Sequence, residues 1–157
     1  MQIKYPQFLF AILLVLLPGL ANAQDTGIPY WASLNAETVN MRVGPSTTYP
    51  IAWIYSREGL PVKVIRVNEG WRLVEDPDGV QGWMAARLLT RARTAIISGE
   101  GNASMRAAPE SSAPLRWHVE PGVVGKLGAC RDGFCEFLVQ GHKGWVEQSR
   151  LWGAEEL

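Results

Sequence analysis

Val39-Asn40-Met41-Arg42-Val43-Gly44-Pro45-Ser46-Thr47-Thr48-Tyr49-Pro50 is answered 64 residues later by Ala103-Ser104-Met105-Arg106-Ala107-Ala108-Pro109-Glu110-Ser111-Ser112-Ala113-Pro114. Met41, Arg42, Pro45 and Pro50 meet Met105, Arg106, Pro109 and Pro114. Trp53 then meets Trp117. After the loss of one residue, Gly59 meets Gly122, Lys63 meets Lys126 and Gly70-Trp71 meets Gly133-Phe134. After a second loss, Gly82-Trp83 meets Gly144-Trp145. A frame that recurs in this way marks duplicated structural units. At about 60 residues each, the units are large enough to be small domains rather than solenoid repeats.

Working outward from the frame, every apolar run is short, rich in β-branched and aromatic residues, and bounded by Gly, Pro, Asp or Asn. Ala32 to Met41 reads as a first strand, followed by turn chemistry at Gly44-Pro45-Ser46. Ile51-Ala52-Trp53-Ile54-Tyr55, Leu60 to Val67, Trp71 to Glu75 and Val80 to Met84 follow as strands. Ala85-Ala86-Arg87 suits a single helical turn. The second unit repeats the plan from Ala95 to Trp152, and Leu89 to Thr94 reads as a linker too short to let the units drift apart. Turns at intervals of roughly ten residues and no sustained helical period indicate an all-β barrel or sandwich.

The first residues stand outside this plan. Lys4, the unbroken apolar run Phe8 to Leu17, the break at Pro18-Gly19 and the small-residue site Ala21-Asn22-Ala23 have the layout of a secretory signal peptide, residues 1–23. The run is about ten residues, short of the roughly twenty that a bilayer span needs. An uncleaved N-terminal anchor is the alternative. The remainder carries a formal charge of −1 and no long run of like charge, so neither nucleic acid nor anionic lipid is expected as a partner. No integral membrane span is expected in the mature chain. Cys130 and Cys135 are the two cysteines of the sequence, and in an exported protein pairing is the default. Two free thiols, or a metal site that would need further ligands, are the other readings.

The frame Asn-Met-Arg-x-Gly-Pro-Ser-x-x-Tyr-Pro, followed by Gly70-Trp71 and Gly82-Trp83-Met84, resembles the bacterial SH3-like (SH3b) domain. The second copy departs from it at Ala107-Ala108 and Phe134 but keeps Met105-Arg106, Pro109 and Gly144-Trp145. The resemblance implies two tandem SH3-like β-barrels, residues 30–90 and 95–152. It also implies modules that bind rather than catalyse, in the periplasm or cell envelope, with peptidoglycan or an envelope protein as partner. No cofactor or metal is expected. A scaffold subunit of an envelope complex is the alternative, and an enzyme using Cys135 is a third.

Seven tryptophans are many for a chain this short. Trp83 and Trp145, each after a glycine, are expected in the barrel cores, where large side chains bury much area. Trp53 and Trp71, with Tyr49 and Tyr55, are the candidates for an aromatic shelf that takes a ligand. Arg42 is the candidate to hold a ligand carboxylate. A structural role for Arg42 and Arg106, tying their turns by hydrogen bonds to carbonyl groups or to an acid such as Glu37, is the favoured reading. His118 and His142 stand at no metal or triad spacing, and no pair of carboxylates marks acid–base chemistry.

Overall fold

A computed structural model describes residues 27–157. The expected signal peptide lies outside the described residues. Seven strands build the first unit: β1 Tyr30–Leu34, β2 Val39–Arg42, β3 Ile51–Tyr55, β4 Pro61–Asn68, β5 Trp71–Glu75, β6 Gln81–Ala85 and β7 Leu89–Thr90. Seven more build the second: β8 Thr94–Ile97, β9 Ala103–Arg106, β10 Leu115–Val119, β11 Val124–Arg131, β12 Phe134–Val139, β13 His142–Glu147 and β14 Leu151–Trp152. A single 3₁₀ turn precedes the last strand of each unit, at Ala86–Leu88 and Gln148–Arg150. Each unit is one antiparallel sheet, ordered β3-β2-β6-β5-β4-β1-β7 and β10-β9-β13-β12-β11-β8-β14. The same plan is thus executed twice, as the duplicated sequence requires.

The first expected strand is in fact two. The chain leaves the sheet after Leu34 and re-enters at Val39, so both side chains enter the core from different strands. The break is pinned by main-chain bonds from Gly59 N–H to Leu34 O and from Asn35 N–H to Leu88 O. Leu34, Val39, Met41, Val62, Val64, Val74 and Met84 fill the first core. Ile97, Met105, Phe137, Val146 and Leu151 fill the second.

Alternation along β6 corrects the expectation for Trp83 and Trp145. Gly82 and Met84 face the core of the first unit and Gly144 and Val146 that of the second, so the tryptophans between them face outward and stay partly exposed. The glycines are not turn residues. Each lies mid-strand because a methionine from the neighbouring strand occupies its side-chain space. A Cβ on Gly82 would sit 2.6 Å from Met41 Sδ, and one on Gly144 would sit 2.9 Å from Met105 Sδ. Trp83 is paired with Arg42 and Leu73, and Trp145 with Arg106 and Glu136.

Cys130 and Cys135 are bonded to each other, directly opposite across β11 and β12 with Cα atoms 4.0 Å apart. Only Asp132-Gly133 lie between the paired strands, both at positive φ, 53° and 78°. That is the two-residue turn whose twist matches a hairpin.

The units are clasped at their ends. The Trp31 indole N–H donates to Glu155 O at 2.8 Å, and the rings of Trp31 and Trp152 meet edge to face at 4.7 Å. The connection between the barrels is itself tied down. Ser33 Oγ donates to Ala92 O, Arg93 donates to Gly153 O at 2.7 Å, and the Arg91 guanidinium lies 3.3 Å from the Tyr30 ring centre. Arg57 donates to Gly122 O across the boundary at 2.6 Å. Ile96 and Val124 of the second unit pack against the core of the first.

Candidate functional site

Arg42 and Arg106 act alike. Arg42 donates to Tyr49 O at 2.6 Å and Arg106 donates to Ala113 O at 2.9 Å. Each guanidinium closes the loop that follows its strand, which is the turn-tying role. The Tyr49 ring folds back over Gly44, where a Cβ would lie 2.6 Å from it. Trp53 stands on β3, opposite Met41, and remains more than half exposed because β3 ends the sheet. Trp71 pairs with Ala85 on the outer face that Trp83 also occupies. Trp53 is on the face of core-directed Met41 and Trp71 on the opposite one. The structure therefore brings Arg42 and Tyr49 together but does not join Trp53 and Trp71 into one shelf.

Tyr55 is placed differently again. At the inner end of β3, its hydroxyl donates to Asp76 Oδ2 at 2.7 Å. Asp76 is only 5% exposed. Its other oxygen accepts from the backbone N–H of Asp78 and Val80, at 3.0 and 2.8 Å, so one carboxylate caps the β5–β6 turn and anchors the ring. Burial, and then the bond to Asp76 and the negative charges of Asp76 and Asp78, push the Tyr55 phenol well above its ordinary pKa of 10.0. On the outer face, Glu75 accepts from Lys63 at 2.9 Å and from Gln81 at 2.8 Å. These two partners hold the Glu75 carboxyl below its ordinary value.

The Tyr55–Asp76 pair lines a cleft of about 490 Å³ with Ile54, Leu60 and Asp78. The second unit has a cleft of about 250 Å³ in the equivalent place. With the residue losses between the copies applied, Ile54, Tyr55, Ser56 and Leu60 correspond to His118, Val119, Glu120 and Val123. Asp76 and Asp78 correspond to Val139 and Gln140. All six positions line the cleft in both units. The chemistry has diverged: a hydrogen-bonded phenol and carboxylate stand where the second unit has two valines. There the wall is Trp117, packed at 4.9 Å against the His142 ring, over a floor that includes buried Met105.

A third cleft, about 770 Å³, lies along the boundary of the two units. It shares Arg57 and Gly122 with the first cleft and Glu120, Val123, Val139 and Gln140 with the second. The three adjoin as one track across the molecule. The sequence reading found Tyr55 but missed Trp117, Val139 and Asp76. The signal that reveals them is comparison of the copies at the positions where they differ. Among the described residues no group of three His, Cys, Asp or Glu is placed to hold a metal, and neither cysteine is free.

Two small antiparallel barrels, each closed by a 3₁₀ turn and a short last strand, define a tandem SH3-like protein. A sequence model of the bacterial SH3 domain matches residues 35–90 and 99–153, and the chain belongs to that family. No curated protein matches the sequence. Among solved structures the chain is similar to NlpC2 from Trichomonas vaginalis, with 12% identity, 79% of this chain and 48% of that one covered, and a TM-score of 0.36. For NlpC1 from the same organism the values are 13%, 78%, 45% and 0.35. For an NlpC/P60 family protein from Bacillus cereus ATCC 10987 they are 13%, 78%, 55% and 0.34. The chain spans about half the length of these proteins.

Proposed function

We propose that this protein is an exported, non-catalytic binding module of the periplasm or cell envelope, which holds an extended polymer along the track between its barrels. The polymer is peptidoglycan or an extended protein segment. One observation carries the reading: the same six positions of each copy line a cleft, and a third cleft adjoins both. A ligand confined to one small cleft would not need the boundary groove, whereas a chain-like ligand would contact all three. Tyr55 and Trp117 offer flat apolar surfaces for a sugar face or an apolar side chain. Asp78, Glu120, Gln140 and His118 offer polar groups around them. Tyr49 and Trp53 of the first barrel do not line the track, although their β3 neighbours Ile54 and Tyr55 do. Membership of a family of binding domains, an expected leader and a disulfide support the placement.

Co-sedimentation of residues 24–157 with isolated cell-wall sacculi tests the proposal. Retention above a heat-denatured control is expected, reduced in Glu120→Ala and His118→Ala, which change exposed rim residues. Absence of enrichment removes peptidoglycan as the ligand. Crosslinking in the native envelope then has to find a protein segment on the same rim, and a crosslinked partner elsewhere refutes the track.

A further inference from the structure

We infer that the free edge of the first barrel is a self-association surface, and that its occupant is β3 of a second copy of this chain, added antiparallel across a two-fold axis. β3 is terminal in its sheet, so one row of its backbone N–H and C=O groups has no neighbouring strand. Proteins usually blunt such edges with charge, proline or brevity. The five residues Ile51-Ala52-Trp53-Ile54-Tyr55 carry no charge and no proline. Ile51, Trp53 and Ile54 are 44%, 57% and 61% exposed, and Val43 and Tyr49 extend the patch at 60% and 45%. Trp53 lies opposite Met41 and Ile54 opposite Asn40, so large apolar side chains stand on both faces of the strand.

The second barrel supplies the contrast. Its corresponding edge strand, Leu115-Arg116-Trp117-His118-Val119, has exposed Arg116 and His118 on either side of the tryptophan. A two-fold axis through Trp117 would set Arg116 against His118 of the other copy and strip water from a guanidinium, which is costly. The same operation through Trp53 sets Ala52 opposite Ile54 and Ile51 opposite Tyr55. Every pair is then uncharged, and the small Ala52 meets the larger Ile54. A two-fold interface has to be complementary to itself, and β3 meets that condition where β10 does not. No side chain of β3 carries a charge for a charged partner to pair with.

Sedimentation velocity of the mature chain over a range of concentrations reads the inference directly. A reversible dimer is expected. Trp53→Lys and Ala52→Lys each place an ammonium on the edge and should raise its dissociation constant at least about tenfold. Arg116→Ala on β10 should leave it unchanged. Both edge positions are exposed, and thermal melts confirm that the variants fold. A wild-type chain that stays monomeric up to its solubility limit overturns the inference. So does a dimer that survives both lysine variants. A monomeric wild type whose retention on sacculi falls in Ala52→Lys also overturns it, because the edge then serves the envelope ligand. The readout is mass, independent of the track, so failure of this inference leaves the proposed function standing.

Discussion

Removal of the Asp76 carboxylate should destabilise the first barrel more than any other polar change in the cleft. Asp76→Ala deletes the acceptor of three hydrogen bonds, from Tyr55 Oη at 2.7 Å, Asp78 N at 3.0 Å and Val80 N at 2.8 Å. Bonds to a charged group contribute about 1.5–3 kcal/mol each, but the two turn amides regain water once the carboxylate is gone. The phenol keeps Met41 Sδ, at 3.7 Å, as a weak protein acceptor. The summed cost is about 3 kcal/mol, which lowers Tm by roughly 12–24 °C for a domain of this size. Tyr55→Phe keeps the turn cap and should cost about half as much. The double variant should cost little more than Asp76→Ala alone, because the two residues share one bond.

The same pair has a pH signature. The folded Tyr55 phenol titrates above its ordinary 10.0, so its stabilising contribution is complete below about pH 10 and is lost as pH rises through the folded value. Spectrophotometric titration of the mature protein should show Tyr55 ionising above the ordinary phenol value, and in Asp76→Ala earlier than in the wild type. Wild-type melting of Tyr55→Phe, together with a single phenol transition near the ordinary value, would refute the bond and the cap. The second barrel is an internal control, since Val119 and Val139 replace the pair.

Four further outcomes concern packing, the disulfide and the Glu75 carboxylate. Gly82→Ala and Gly144→Ala should each cost about 1–3 kcal/mol by overpacking against Met41 and Met105, read by thermal denaturation. Reduction of Cys130–Cys135 should lower stability by at most about 2 kcal/mol, because the bridge closes so short a loop. The intact mass of unreduced protein should lie about 2 Da below the reduced form, as bridging removes two hydrogens. Glu75→Gln should weaken stability slightly above the ordinary carboxyl value of 4.5 and flatten its acid-side loss, because the depressed Glu75 stabilises only while ionised.

The strands were legible because strand alternation and turn residues are local signals. Asp132-Gly133 and Gly141 mark their hairpins, and the repeat confirms the spacing. The inward or outward direction of Trp83 was not legible. It depends on Met41, which crowds Gly82 from a position 41 residues earlier in the chain, and a glycine before a tryptophan reads as a turn until that contact is known. Tyr55 was visible as a candidate, but its partner Asp76 sits in an ordinary Asp-Pro-Asp-Gly turn. The boundary cleft needs the placement of both barrels, which no local pattern encodes. One long-range signal was present: Trp31 and Trp152 have no counterpart in the other copy, and they are the residues that join the ends.

That clasp gives the duplication its physical consequence. Two barrels on a loose tether would each offer a small, shallow cleft, and a polymer bound to both would lose entropy as the tether became ordered. Here the connecting residues are already fixed through Arg91, Ala92 and Arg93, and Gly153 lets the chain pass closely. A Cβ on Gly153 would sit 2.8 Å from Thr94 O and 3.2 Å from Pro61 Cβ, contacts on both barrels, at a φ of +103°. The clefts are held in a fixed relation before any ligand arrives, so the ordering cost is met during folding. Divergence of the lining then follows: once the copies act as one surface, they need not recognise the same group. Tyr55 and Asp76 keep a polar, hydrogen-bonded wall at one end of the track, while Val119, Val139 and Trp117 make an apolar one at the other. On the proposed function, a polymer with different groups along its length would bind in one direction.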